Sequence, residues 1–144
     1  LGVFEEPTRL GYPDVGLQAL RGSLAERLSR MLQPGDVVFT TWRMDGHPDH
    51  EATGHAAAFA AARVGARLIE VPVWAWHWAT PGDARIPWRR SCRLALPADA
   101  RRRKRHAVQA FESQLEMDAS TGAGPILRAS TVARVARPFE VLFA

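Results

Sequence analysis

Two apolar runs separated by one helix length constrain this chain most. Asp36-Val37-Val38-Phe39-Thr40-Thr41 is short, nearly continuous, and rich in β-branched and aromatic residues. That is the pattern of a strand buried on both faces of a parallel sheet. The stretch from about His50 to Val64 is crowded with Ala52, Gly54, Ala56, Ala57, Ala58, Ala60, Ala61 and Ala62, small residues that let a helix lie close against a sheet. Leu68-Ile69-Glu70-Val71-Pro72-Val73-Trp74 reads as a second strand. A helix between two such strands predicts a right-handed βαβ unit, and with it an α/β fold. Alternation continued past the second strand places Trp74, Trp76 and Trp78 on one side, with Val73, Ala75 and His77 on the other.

The connection from the first strand to the helix carries His47-Pro48-Asp49-His50. Ligands in open α/β sheets gather outside the carboxyl ends of strands, which is where this tetrad falls. Two imidazoles three positions apart at a helix start project to the same side, as two side chains addressing one metal-bound water must. The pattern points to metal-assisted hydrolysis. A catalytic zinc usually takes three protein ligands and keeps one position open, so the pair is half a site. No second compact cluster of His, Asp and Glu follows it, since His77 sits among tryptophans and His106 follows a basic run. The remaining ligands are therefore expected upstream of Leu1. The opening Leu1-Gly2-Val3 has the look of a chain entering mid-fold, in keeping with a longer parent.

Elsewhere, Leu10 to Leu17 is a turn-rich loop punctuated by glycine and proline, in which Asp14 can bond nearby backbone amides. Leu20, Leu24, Leu28 and Leu32 recur at intervals of four, predicting an amphipathic helix from Ala19 to Leu32 that ends at Pro34-Gly35. Cys92 to Leu96 is a short strand candidate, and a basic helix is predicted from near Pro97 to about Leu115. The tail around Arg137 to Phe143 reads as a closing segment or edge strand. At 144 residues with 47% hydrophobic content, the chain is expected to form one domain, residues 1–144.

The net charge of +4 and pI near 10.5 raise the possibility of nucleic-acid binding. The excess is local, because Arg101-Arg102-Arg103-Lys104-Arg105 holds five of the 19 basic residues. Ala107, Ala110, Phe111 and Leu115 follow at helical spacing, so the arginines read as the solvated face of a surface helix, and no nucleic-acid partner is expected. A single cysteine, Cys92, excludes an intrachain disulfide and fits a reducing compartment such as the cytoplasm. No window of about 18 apolar residues occurs, so no membrane partner is expected.

With Gly54 four residues past its second histidine, the tetrad resembles the signature of the LmbE-like, or PIG-L, family of zinc-dependent N-deacetylases. Leu10-Gly11-Tyr12-Pro13-Asp14, Val71-Pro72-Val73-Trp74 and the stretch from Lys104 to Ser113-Gln114 resemble the same family in the same order, so that the likeness spans nearly the whole chain. It implies a Rossmann-like α/β domain, a mostly parallel sheet flanked by helices, that removes acetyl groups from N-acetylglucosamine-type sugars and related amides. By resemblance, His50 is a zinc ligand. His47 stabilises the tetrahedral intermediate and protonates the leaving amine, Asp49 tunes His47, and Asp14 contacts substrate hydroxyls. The family's other signature, a His-Pro-Asp-Asp-Glu-like motif with two zinc ligands and the general base, is absent from these 144 residues. The resemblance therefore implies that the first βα unit is lacking here.

Three functions remain open at this level: a zinc-dependent deacetylase of an N-acylated aminosugar or glycoconjugate, a truncated non-catalytic relative that binds sugar or acts as a scaffold, and a basic nucleic-acid-binding domain. A longer parent chain or a complementing amino-terminal segment would complete the first, and a homo-oligomer is among the partners considered.

Overall fold

The computed structural model describes residues 6–144, so the opening Leu1-Gly2-Val3 lies outside the described residues. In chain order the elements are helix α1 (Arg21–Met31), strand β1 (Val37–Thr41), helix α2 (Pro48–Val64), strand β2 (Arg67–Val71), the short helix α3 (Ala75–Trp78), strand β3 (Ser91–Ala95), helices α4 (Ala98–Gln109), α5 (Glu112–Leu115) and α6 (Ala129–Arg134), and strand β4 (Phe139–Phe143). The helix α2 has local reasons to start and stop where it does. Pro48 occupies its first position, where a missing N–H costs nothing, and Gly65 ends it in the left-handed region at φ 77°.

The four strands form a mixed sheet in the order β1-β2-β4-β3. Strands β1 and β2 are parallel, from Val37 opposite Arg67 to Thr41 opposite Val71, so β1, α2 and β2 form the expected βαβ unit. Strand β4 runs antiparallel to β2, with Glu70 opposite Phe143. The bonds from Ala144 N–H to the Arg90 carbonyl and from Leu96 N–H to the Pro138 carbonyl make its other pairing antiparallel too. A mostly parallel sheet is thus corrected to one parallel pairing followed by antiparallel ones. The tail is also not at the edge. Strand β4 lies between β2 and β3, and there Leu142 and Phe143 are buried, Phe143 meeting Trp42 edge-on at 5.1 Å.

The two edges belong to β1 and β3. Val37 and Phe39, two positions apart and so on one face, are 51% and 59% exposed, which corrects the reading of this strand as buried on both faces: none of the described residues covers that face. The alternation of tryptophans is corrected as well. Pro72 cannot continue the ladder, and the next amides turn into α3, so that Trp74 stacks on His77 at 4.4 Å, three residues on, as helical spacing dictates. The basic helix stops at Gln109 instead of running to Leu115. It buries no residue, and Phe111 beyond it is 57% exposed.

The chain divides into two compact units, one comprising Thr8–Cys92 with Val141–Ala144 and the other built on Arg93–Glu140. The first holds two apolar clusters. Trp42, Ala75, Ile86 and Phe143 form one, while Leu24, Ala25 and Ala56 join α1 to α2 in the other. In the second unit, Arg103 pairs with Asp99 at 2.8 Å and Lys104 with Glu140. No helix among the described residues is long and apolar enough to cross a membrane.

Candidate functional site

The tetrad occupies the turn into α2, and the end of β1 seats it. Thr41 Oγ1 donates to the His50 carbonyl at 2.8 Å. Gly54, one turn further, lies so close to the strand that a Cβ there would stand 2.5 Å from the Thr41 carbonyl oxygen. His47 is the N-cap residue in extended backbone, its Nδ1 accepting the Asp49 N–H at 3.3 Å. The His47 and His50 rings are 4.5 Å apart between centroids. Trp74 borders them, edge-on to His47 at 5.5 Å.

Asp45, absent from the sequence-level site, proves central to it. Its side chain is fully buried, with Oδ2 2.6 Å from His50 Nδ1. The same carboxylate accepts three backbone N–H groups, from Val73 at 2.9 Å, Trp74 at 2.7 Å and Ala75 at 2.9 Å. A buried charge is tolerable when it is this fully bonded. Its own carbonyl accepts the Trp78 indole N–H at 2.8 Å, and Gly46, at φ 85°, lets the loop pass so near that a Cβ would lie 2.6 Å from that nitrogen. Asp45 therefore caps the turn into α3 and orients His50 at once. The available signal was chemical: histidines that bind metals commonly donate their second ring N–H to a carboxylate, and Asp45 is the only acid between β1 and the tetrad.

Asp49 points elsewhere. Its carboxylate accepts the N–H groups of Val15, Gly16 and Leu17 at 2.8, 3.3 and 3.1 Å, while its backbone serves His47. Partial burial pushes this carboxyl up, but those three amides and the nearby His47 outweigh it and hold the group below its ordinary range. The amides converge because Val15 adopts φ 53°, an uncommon conformation for a β-branched residue, which the convergence on one carboxylate holds in place. Val15, Gly16, Gln18, His47, Pro48 and Asp49 line a pocket of about 260 Å³. Asp14 is exposed, one residue before this nest, and is carried to the neighbourhood of the tetrad by it.

A second buried acid steadies the loop from below. Glu70 on β2 is 1% exposed and accepts the Arg43 N–H at 3.1 Å, Arg43 Nε at 2.8 Å, Arg43 Nη2 at 3.1 Å and Arg90 Nη2 at 2.9 Å. Burial raises the Glu70 pKa, and the two guanidiniums more than offset it, leaving the group depressed. Arg43 is correspondingly raised, first by its bond to Glu70.

His47, His50, Asp49 and Asp45 are thus one constellation, with Asp14 on the adjoining loop. A larger groove of about 780 Å³, lined by residues including Ala25, Arg43, His55 and Phe59, includes none of the tetrad. His50 suits a metal, since its Nδ1 is held by a carboxylate and its Nε2 is left for coordination. Among the described residues, no group of three or more His, Cys, Asp or Glu is placed to hold a metal ion. No protein-family model, curated protein or solved structure matches this chain.

Proposed function

We propose that this chain carries part of the active site of a zinc-dependent N-deacetylase that acts on an N-acylated aminosugar or glycoconjugate. The observation that carries the proposal is the His47–His50 pair at the end of β1, with His50 held through Nδ1 by the buried Asp45. When bound, zinc would polarise the amide carbonyl and bring the pKa of its water from about 15.7 to about 7. His50 would anchor the metal through Nε2. His47, its ring 4.5 Å from that of His50, would donate to the oxygen on which charge develops, an interaction worth about 3 kcal/mol for one well-placed donor, and would then pass its proton to the leaving amine. Asp49 would hold the Val15–Leu17 loop against the tetrad, and Asp14 on that loop would meet sugar hydroxyls.

The same reading makes the domain Rossmann-like, with a first βα unit, carrying the other ligands and the general base, added beside β1. The edge position of β1 and the exposed Val37 and Phe39 support this, because an apolar strand at a sheet edge gains from a further neighbour.

Native mass spectrometry in zinc-supplemented buffer, paired with release of acetate from an N-acetylglucosamine conjugate, tests the proposal. Where the other ligands and the base are supplied, bound zinc and turnover, both lost in His50→Ala, are expected. A metal-free, inactive protein that still binds the sugar would instead assign a non-catalytic binding role.

A further inference from the structure

We propose that the two imidazoles of the tetrad are locked in opposite tautomers, and that Asp45 is the positioning residue that sets His50. The assignment follows from who can donate. Asp45 Oδ2 faces the Trp74 N–H and His50 Nδ1, while Oδ1 faces the N–H groups of Val73 and Ala75. Backbone N–H groups only donate and an aspartate carboxylate only accepts, so the proton in the 2.6 Å contact belongs to His50 Nδ1. The neutral ring is left with a bare lone pair on Nε2. His47 is bonded the other way round. Its Nδ1 receives the Asp49 N–H at 3.3 Å, so that nitrogen holds the lone pair and Nε2 carries the proton.

Two rings 4.5 Å apart therefore offer complementary atoms, one electron-pair donor and one N–H donor. The ligand class that uses both is a divalent cation at His50 with a carbonyl or anionic oxygen beside it at His47. Two histidines in one tautomer would offer two lone pairs or two N–H groups and could not divide the task. The assignment of tautomers stands on hydrogen bonds alone, whereas its use in amide hydrolysis rests on the deacetylase reading.

The test is a two-bond proton–nitrogen correlation spectrum of the full chain labelled with 15N-histidine, in mildly alkaline buffer, where protonated and unprotonated ring nitrogens are well separated. His50 protonated at Nδ1 and His47 at Nε2 is the expected result. The same tautomer in both, or the reverse pair, overturns the proposal. In Asp45→Asn the amide oxygen can keep the Val73 and Ala75 bonds while the amide nitrogen donates to His50 Nδ1, so His50 should switch to Nε2–H with His47 unchanged. A folded variant with no switch removes Asp45 from the positioning role.

A second readout is independent of whether that variant folds: the wild-type His50 Nδ1–H proton, bonded to a carboxylate, should resonate far downfield, and its absence also removes the role. With the other ligands supplied, zinc affinity in the variant should fall about 10–100-fold, as for other carboxylates that orient ligand histidines. Opposite tautomers in a protein that has the other ligands supplied yet binds no zinc would sink the deacetylase reading while leaving this one intact.

Discussion

Replacing Gly54 by alanine sets two well-defined effects against each other. Helix propensity favours the change, since glycine in a helix interior costs about 1 kcal/mol relative to alanine. Packing opposes it. The new Cβ would meet the Thr41 carbonyl oxygen at 2.5 Å and the Arg43 backbone nitrogen at 3.1 Å, and backbone atoms of a paired strand cannot swing aside as a side-chain tip can. Overpacking of this kind typically costs about 1–3 kcal/mol, and a contact this short lies toward the upper end. The net expectation is destabilisation by about 1–2 kcal/mol, or a Tm lowered by about 3–6 °C for a chain of this size. Because the same seat holds the Thr41 hydroxyl against the His50 carbonyl, the shift should also move His50.

Urea unfolding followed by tryptophan fluorescence measures the effect, and Gly22→Ala supplies the control. Gly22 lies in α1 with nothing within 4 Å of its would-be Cβ, so there propensity acts unopposed and should stabilise by about 0.5–1 kcal/mol. Equal stabilisation by both substitutions would refute the reasoning, since it would mean that α2 is not seated on β1 as described.

Three further outcomes are expected. Glu70→Ala leaves the Arg43 amide and two guanidiniums without their acceptor. Breaking a buried pair typically costs about 3–5 kcal/mol, but both arginines are about a third or more exposed, so about 2–3 kcal/mol should be seen by chemical denaturation. Asp49→Ala should release the Val15, Gly16 and Leu17 amides, read as faster hydrogen exchange at those three positions with α2 still protected; unchanged exchange would contradict the nest. Stability should fall in acid. Both Asp49 and Glu70 are depressed in the folded state, so each contributes stability that is fully present above the ordinary carboxylate pKa of about 4 and is lost as pH drops through the lower folded value. Urea midpoints measured from neutral to acid pH should decline there, and Glu70→Gln should flatten that decline.

The sequence by itself determined the pieces whose causes are local. Apolar run, small-residue helix and second apolar run make β1, α2 and β2, because strand and helix periodicities are written in neighbouring residues. His47 and His50 come together for the same reason, three positions apart at one helix start. Tertiary structure alone decided the rest. Asp45 reaches amides 28 to 30 residues away, and Asp49 binds a loop 32 to 34 residues upstream. Such partners carry no spacing signal, since only the folded path brings them within hydrogen-bond range. Strand order has the same character. Of two apolar runs as similar as Val37–Thr41 and Phe139–Phe143, one takes the sheet edge and the other an interior place, and that choice depends on which neighbours the whole chain supplies.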